Sequence, residues 1–375
     1  MSLSTFAWSF VHVSLPFYIQ RVSPLDDPST LRWTGWIVGI TSIVTVVTAP
    51  AWGKAATQWS PKTLYIWVEL LQGAGFFVMA MARTLTELFL ARAVLGVMGA
   101  ASTFAFILAG RAGGDVRRQV SIIQSSMTVA QVVGPLAGAV TATRIGFHQS
   151  FLVGGFLLWG CAFLVWRRVV DHQGAPAAAG RSRPASVQEL ASVCLIVLAG
   201  SCQIFFLPAI LPQLLPLLGV SPDRTLEVGG VIIFLSGAAA ALGSMAAPHL
   251  AELMGDRRAV VWFLAGSSLL LLSLSLASGA WSLGALRFLQ VLCIAPVFPL
   301  SVAGIIHRAS GQAIGVLNSA RIAAGFIGPV LATTLLATGP PSLVYLVMAA
   351  TGLGALPLVW SGRGRGRAAA EGDRS

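Results

Sequence analysis

Long apolar runs alternate along the chain with short stretches rich in Gly, Pro and charged residues. Each run is long enough for one helix across a bilayer core of about 30 Å, which takes roughly 20 residues. The first run has no positively charged segment before it and no small-residue cleavage site, so we interpret it as a retained helix and not as a signal peptide. The twelve runs cover residues 3–20, 33–52, 63–82, 86–109, 119–142, 149–167, 190–211, 226–247, 259–278, 282–305, 312–336 and 342–360.

Helix is the secondary structure that these runs predict. Lipid offers no hydrogen-bond partner to a free backbone N–H or C=O group, and the runs lack the alternating pattern of a barrel strand. The composition agrees, because 56% of the residues are hydrophobic and 10% are charged, whereas a soluble domain has about 25% charged residues. The sequence therefore predicts an all-α integral membrane protein with twelve transmembrane helices.

Positive charge is distributed unevenly between the two sides of this arrangement. An excess of Lys and Arg marks the cytoplasmic side of a membrane protein. We therefore expect both termini in the cytoplasm and the chain in the inner (cytoplasmic) membrane. With the N-terminus inside, the inner loops and tail carry Lys54, Lys62, Arg111, Arg117, Arg118, Arg167, Arg168, Arg181, Arg183, Arg257, Arg258, Arg308, Arg363, Arg365, Arg367 and Arg374, and the outer loops carry only Arg21, Arg32, Arg83, Arg144 and Arg224.

Composition also excludes several kinds of partner. The net charge of +11 does not indicate nucleic-acid binding, because the 24 Lys and Arg residues form no basic stretch interleaved with aromatics. The four cysteines, Cys161, Cys194, Cys202 and Cys293, lie inside apolar runs without the spacing of a zinc site or a disulfide framework. The sequence has no Gly-rich ATP-binding loop. We expect no cofactor, metal ion or nucleic acid.

An internal repeat divides the apolar runs into two sets of six. Leu88-x-x-x-Arg92 recurs as Leu283-x-x-x-Arg287 at an offset of 195, and Gly134-Pro135 recurs as Gly328-Pro329 at an offset of 194. The segment 53–62 aligns with 248–257, again at 195. Offsets this similar predict a duplicated six-helix unit whose copies pack around a pseudo-two-fold axis along the membrane normal.

The repeat and the loop composition together predict the domain organisation. Residues 1–168 are expected to form an N-terminal six-helix bundle and residues 190–360 a C-terminal one. Residues 169–189 mix Arg, Ala, Pro, Gly and Ser without apolar periodicity, which indicates a flexible cytoplasmic linker. The tail, 361–375, is expected to be disordered and to contact anionic membrane lipids through its arginines. We expect a monomer.

Span five contains a run of small residues around a proline, Ala130-x-x-x-Gly134-Pro135-x-x-Gly138-Ala139. This run is similar to the motif G-x-x-x-G-P-x-x-G-G, with alanine at two of the glycines, and so resembles the twelve-span drug:proton antiporters of the major facilitator superfamily. The family's loop G-x-L-A-D-R-x-G-R-K keeps only Gly53 and Lys62 in the first half, where Thr57 occupies the acidic position. The second half keeps Leu250, Ala251, Glu252, Gly255, Arg257 and Arg258, and span four keeps Leu88, Arg92, Gly96 and Ala100.

The resemblance implies the major facilitator fold, with two pseudo-symmetric six-helix bundles, and a function in transport instead of enzyme catalysis. It implies alternating access and proton-coupled export of a small drug-like or amphipathic solute. An uptake symporter or facilitator for a small metabolite is the alternative, and a membrane-embedded enzyme or a non-transporting sensor is a more distant one. Residues expected to act in conformational change are Gly53, Lys62, Gly134, Pro135, Gly138, Glu252, Gly255, Arg257, Arg258, Gly328 and Pro329.

Polar side chains inside the spans are the candidates for the substrate and proton pathway, because a charge at membrane depth costs several kcal/mol by most estimates unless it faces a cavity or a partner. The family's acidic residue in span one is Ala7 here, nine positions before Pro16, so Glu69 and His12 remain as embedded titratable groups. Arg321, near the middle of its span, can attract a polar or anionic substrate or can pair with Glu69. Arg92 and Arg287 can serve the pathway or only tie helices together. The full set is His12, Glu69, Arg92, Gln131, Gln203, Arg287, Gln290, Asn318 and Arg321.

Overall fold

The protein's structure, a computed structural model, describes residues 1–111, 116–169, 187–306 and 311–361, and no strand occurs in these ranges. The first half contains α1 (Ser2–Val22), α2 (Asp27–Gln58), α3 (Pro61–Met81), α4 (Leu85–Val97), α5 (Ala101–Arg111), α6 (Val116–Ile145) and α7 (Phe147–Arg168). The second half contains α8 (Val187–Phe205), α9 (Leu207–Leu217), α10 (Thr225–Met254), α11 (Asp256–Ser273), α12 (Ala280–Ile294), α13 (Val297–Ile306), α14 (Gly311–Thr338), α15 (Pro341–Ala355) and α16 (Leu358–Ser361). The predicted linker and tail fall almost entirely outside the described residues.

Nine helical segments of the described chain are long and apolar enough to cross a membrane. Three of them combine two consecutive helices, α4 with α5, α8 with α9, and α12 with α13. The other three predicted spans correspond to α1, α6 and α15, of which α15 has 15 residues. The predicted all-helical membrane architecture is confirmed.

Four of the predicted spans, 86–109, 190–211, 282–305 and 342–360, are interrupted and are not single helices. Pro208 lies at the start of α9 and Pro296 lies just before α13. A proline has no N–H to donate, and its ring collides with the carbonyl four residues earlier, so each ends the preceding helix. The break after α4 has no proline and falls at Met98, Gly99 and Ala100.

The segments 53–62 and 248–257, expected as loops, are mostly helical. The 32 residues of α2 extend about 48 Å, so its ends project beyond a hydrocarbon core of roughly 30 Å. Only Trp59 and Ser60 connect α2 to α3, and the Ser60 hydroxyl accepts a hydrogen bond from the Thr63 N–H at 3.3 Å. Gly255 alone separates α10 from α11 at φ +78°, a backbone conformation that favours glycine.

Helix pairings repeat between the halves. Within the first half α1 packs on α6, and within the second half α8 packs on α14. Between the halves α2 packs on α14 and α6 packs on α10. The 195-residue offset relates α2 to α10 and α6 to α14. The halves therefore meet along two equivalent seams, α2–α14 and α6–α10.

Candidate functional site

The α2–α14 seam is tight on the side of the membrane away from the two ends of the chain. We call this the far side, and the side on which α1 begins and α16 ends the terminal side. A Cβ on Gly35 would overlap the Thr333 hydroxyl and lie 3.0 Å from the Val330 Cα. A Cβ on Gly39 would lie 2.9 Å from the Phe326 Cα. The backbones of α2 and α14 approach this closely because α2 has glycine at both positions.

The α6–α10 seam is closed on the same side. A Cβ on Gly230 would overlap the Cβ of Ala139, and one on Gly237 would lie 3.2 Å from the Val132 Cα. Gly230 lies near the far end of α10 and Gly237 near its middle. Both seams are therefore packed from the far side to about the middle of the membrane.

Toward the terminal side the same four helices separate. A Cβ on Gly53 of α2 or on Gly315 of α14 would meet no atom within 4 Å. Val47 of α2, Val129 of α6 and Met245 of α10 are 72%, 63% and 78% exposed. The four helices therefore lose their close contacts toward the terminal side, and we infer a cleft between them that opens to this side and ends at the packed glycines.

Three of the predicted pathway residues lie at the closed end of this cleft. Arg321 precedes Gly325 by four residues and so shares its helix face, and a Cβ on Gly325 would lie 2.6 Å from the Ser42 hydroxyl of α2. The half-buried Arg321 guanidinium lies over the Phe298 ring, 4.8 Å from its centre. Asn318, one turn earlier, is exposed, and Gln131 is exposed on α6 beside the contact at Gly237.

Arg92 lies inside the first half, away from the cleft. It is 2% exposed, and it donates to the carbonyls of Ile37 at 3.3 Å and Val38 at 3.0 Å. Its guanidinium lies 5.4 Å from the centre of the Trp8 ring. The half-buried His12 imidazole is close enough to Arg92 for a direct electrostatic interaction. Arg92 is thus held against α1 and α2 by uncharged groups.

Arg287 is buried in the second half within a larger polar cluster. One terminal nitrogen donates to the Gln203 carbonyl at 2.7 Å and to the Gln290 side chain, and the other donates to the Ile204 carbonyl at 2.7 Å. In an unbroken helix the Ile204 carbonyl would accept from residue 208, which is a proline and has no N–H. Arg287 therefore supplies the donor that is missing at the break between α8 and α9.

The amide groups of Gln203 and Gln290 complete this cluster. Gln203 donates to Ser268 at 3.0 Å and accepts from Ser267 at 2.6 Å, and Gln290 donates to Ser267 at 2.8 Å. Both glutamines are fully buried. These two predicted pathway residues therefore lie between helices of the second half and not at the cleft.

The two arginine sites occupy equivalent positions in the repeat. Trp8 donates from its indole to Gln72 at 2.8 Å, and Gln203 and Ser267 form the corresponding hydrogen bond. Trp8 and Gln203, Gln72 and Ser267, and Arg92 and Arg287 are each 195 residues apart. The sequence did not predict that Trp8, Ser267 and Ser268 take part in these sites. The 195-residue offset found for the arginines does, however, pair Trp8 with Gln203 and Ser267 with Gln72.

Glu69 is isolated from all three arginines. It is fully buried among α1, α3 and α7, and the Ser4 hydroxyl, the Cys161 thiol and Tyr65 face it. Neither carboxylate oxygen has a partner at hydrogen-bond geometry within the described residues. The N-terminal ammonium group of Met1 acts on the carboxyl group electrostatically. A buried carboxylate without hydrogen bonds costs several kcal/mol in such surroundings. The structure does not bring Glu69 to Arg321 or to Arg92.

Three side chains of α2 donate hydrogen bonds to carbonyls near the end of α4, and the sequence did not single them out. Thr41 donates to the Arg92 carbonyl at 2.9 Å, Thr45 to the Gly96 carbonyl at 2.9 Å, and Trp52 to the Val97 carbonyl at 2.6 Å. Carbonyls near a helix end lack partners within the helix. Thr45 and Trp52 donate to the last two carbonyls of α4, where the Gly96 carbonyl also accepts from the Gly99 N–H at 3.1 Å. Together with Thr41 they hold α2 against α4.

The motif residues divide between helix contacts and the terminal surface. Gly134 and Gly138 pack against α1, where a Cβ on Gly134 would lie 2.7 Å from the Ser9 Cβ and one on Gly138 would overlap the Phe10 carbonyl. Gly328 packs against the Cys202 carbonyl of α8, and the Pro329 carbonyl accepts from Thr333 at 2.8 Å. Pro135 is buried within α6. At the terminal surface Glu252 and Arg258 are exposed, and Lys62 and Arg257 are half-buried.

Two related helical halves around a cleft that opens to one side only define the class of alternating-access membrane transporters. The sequence model of the Major Facilitator Superfamily matches residues 1–250. The chain belongs to this family, whose members are transporters and not enzymes.

Known proteins resemble the chain over most of its length. The multidrug resistance protein MdtG of Proteus mirabilis is 25% identical, over 75% of this chain and 72% of the relative. The structure is similar to that of a bacterial homologue of the human lysosomal transporter Spinster in an inward-facing and occupied conformation, with TM-score 0.77, 12% identity and coverage of 96% and 94%. It is also similar to the nucleoside transporter NupG (D323A mutant), with TM-score 0.74, 13% identity and coverage of 97% and 98%. The predicted fold and the resemblance to the drug antiporter branch are confirmed.

Proposed function

We propose that this transporter exports a small drug-like or amphipathic solute in exchange for protons. The observation that carries the proposal is the cleft, which is closed by glycine-lined seams on the far side and open on the terminal side. Arg321, Asn318 and Gln131 give its closed end a few polar groups among apolar walls, a composition that suits amphipathic ligands. The names of the MdtG relatives support a drug-like substrate.

The proposal includes an orientation and a division into domains. We place both termini in the cytoplasm and the chain in the inner membrane, because Lys and Arg concentrate on the terminal side. The cleft then opens to the cytoplasm, the side from which an exported solute enters. We propose that residues 1–168 and 190–360 move as two bundles joined by the linker 169–189, within a monomer.

Glu69 is the group that we propose for proton coupling. It is a fully buried carboxyl group without a hydrogen-bond partner in the described part of the chain, so the neutral, protonated form suits this packing. Its neighbours lie on three helices of the first half. A movement of α1 or α7 that admits water to Glu69 would release the proton, which links titration to a change in helix packing.

A transport assay in proteoliposomes tests the proposed function. With the full-length chain reconstituted and a fluorescent amphipathic cation as substrate, we expect an imposed proton gradient to drive the dye against its own gradient, with counterflow of protons. Flux without any response to the proton gradient would contradict antiport. Movement of dye and protons in the same direction would instead favour an uptake symporter.

Facilitated or symport uptake of a metabolite is the second candidate. It is favoured by Ala7, a fully buried alanine at the position where the antiporters resembled here carry an acid. Offering nucleosides or sugars in place of the dye, in the same vesicles, separates the two candidates. Export of dyes with no uptake of these metabolites would reject the second.

Glu69→Gln is expected to uncouple transport from the proton gradient. Glutamine keeps the shape of the protonated carboxyl group but cannot release a proton, so gradient-driven accumulation should fall at least about tenfold, as for the loss of an essential acid-base group. Downhill exchange of dye across the same vesicles should persist. Glu227→Gln, at an exposed carboxylate on α10, is the matched control and should leave both rates unchanged. Equal accumulation by Glu69→Gln and the unaltered chain would remove Glu69 from the proton pathway.

A further inference from the structure

A second cleft lies on the far side of the first half, outside the transport cleft. It is an open cleft of about 400 Å³, lined by Arg32, Trp33 and Trp36 of α2 and by Phe89 of α4. Trp33 packs edge to face on Phe89, with ring centres 6.1 Å apart. Trp36 packs edge to face on Phe326 of α14, with ring centres 5.3 Å apart. Three aromatic rings thus form the walls, and the guanidinium is the one charge among the lining groups.

The Arg32 side chain is exposed, and it has no hydrogen-bond or ion-pair partner among residues 1–111, 116–169, 187–306 and 311–361. Two carboxylates of nearby segments are directed elsewhere. Asp27 precedes Arg32 by five residues, which places it about 140° away around α2. The Glu87 carboxylate accepts hydrogen bonds from the N–H groups of Arg83 at 2.6 Å and Thr84 at 3.3 Å. The cation of the cleft is therefore uncompensated.

The depth of the cleft matches the boundary between lipid head groups and acyl chains. If α2 is centred in the bilayer, its length of about 48 Å leaves about 9 Å beyond the hydrocarbon core at each end. Arg32 lies about 8 Å below the start of the helix, and Phe89 about 6 Å below the start of α4, by the rise per residue of a helix. Tryptophan side chains such as Trp33 and Trp36 favour this boundary. A ligand in the cleft would meet a cation at head-group level and apolar rings just beneath it.

We propose that this cleft binds an anionic phospholipid of the far leaflet. The lipid phosphate pairs with the Arg32 guanidinium, and the upper part of an acyl chain lies against Trp33, Trp36 and Phe89. A free phosphate ion would use the cation but leave the rings exposed to water. A zwitterionic lipid would bring its own positive group beside an arginine that has no acidic partner. An anionic lipid matches both the charge and the apolar walls.

Lipid selectivity of the purified full-length chain tests this proposal. Spin-labelled phosphatidylglycerol and spin-labelled phosphatidylcholine are compared by electron paramagnetic resonance after reconstitution in phosphatidylcholine vesicles. We expect the immobilised fraction to favour phosphatidylglycerol, and Arg32→Gln to reduce this preference about fivefold, the effect of one cation near an anionic lipid surface. Arg32→Lys retains the charge and should retain most of the preference.

Arg144→Gln provides the matched control, because Arg144 is an exposed far-side arginine in the last turn of α6. It should leave the preference unchanged. Phe89→Leu, which removes one aromatic wall but keeps the charge, should reduce the immobilised fraction of both lipids. Three results would overturn the proposal: no preference for phosphatidylglycerol in the unaltered chain, equal losses in the Arg32 and Arg144 variants, or displacement of the labelled lipid by soluble glycerol phosphate. Size-exclusion chromatography and thermal unfolding in detergent show that each purified variant is folded.

Discussion

Arg287→Met is expected to destabilise the protein far more than Arg92→Met does. Arg287 donates to the backbone carbonyls of Gln203 and Ile204 and to the side chain of Gln290, all within the second half. Each buried acceptor left without a donor costs about 1–3 kcal/mol, so the total loss should be about 3 kcal/mol or more. The carbonyls of Ile37 and Val38, which Arg92 contacts, lie inside the uninterrupted helix α2 and keep their intrahelical donors. Thermal unfolding of both variants in detergent measures the difference.

The break at Pro208 supplies a control for this prediction. In the Arg287→Met background, Pro208→Ala restores an N–H group at the position that serves the Ile204 carbonyl in a continuous helix. We expect this second change to recover part of the lost stability, whereas the same change in the unaltered chain should gain little, because Arg287 already donates to that carbonyl at 2.7 Å. Equal melting temperatures for the two arginine variants, or no recovery with Pro208→Ala, would show that Arg287 does not stabilise the break.

The apolar runs predicted the order and approximate bounds of the spans because membrane depth imposes the same length on each of them. Nine of the twelve predicted spans are long and apolar enough to cross a membrane in the described part of the chain. They did not predict the breaks, although Pro208 and Pro296 were visible as helix-ending residues. Hydropathy averages over a window of about 19 residues and is insensitive to one proline within it. The break after α4 left no such local signal. At this break the carbonyls of Gly96 and Val97 accept hydrogen bonds from Thr45 and Trp52 of α2. These are tertiary contacts, which a hydropathy pattern does not contain.

The sequence identified which polar residues are embedded but not which way they face. Arg92, Arg287 and Arg321 appear alike as single arginines in apolar runs. In the structure the first two are 2% exposed inside the halves, whereas Arg321 is half-buried beside the cleft. The difference depends on which helix face meets the other half, and that is set by the glycine seams between distant parts of the chain. Hydrophobic periodicity is weak evidence here, because lipid-facing and core-facing residues are both apolar.

The glycines of the seams provide the second large expected effect. Gly230→Ala should shift the protein away from the arrangement that is closed on the far side. The added methyl group would overlap the Cβ of Ala139, and both carbon atoms are fixed to helix backbones, so α6 and α10 must separate. Overpacking of this kind costs about 1–3 kcal/mol, which changes the ratio of the two conformations roughly 5- to 150-fold. The conformation in which the far side opens does not contain this contact and is not penalised.

Electron–electron distance measurements between the far-side loops detect this shift. The four native cysteines are replaced, and spin labels are placed at Leu25 and Arg224, one in each half. Gly230→Ala should then populate longer distances than the parent, in which the seam is closed. Gly266→Ala is the matched control, since a Cβ at Gly266 would meet no atom within 4 Å. Both changes add the same methyl group and the same gain in helix propensity of up to about 1 kcal/mol, so only the contact with Ala139 distinguishes them. Identical distance distributions in the two variants would mean that the α6–α10 seam does not hold the far side closed, and the cleft would then need another barrier.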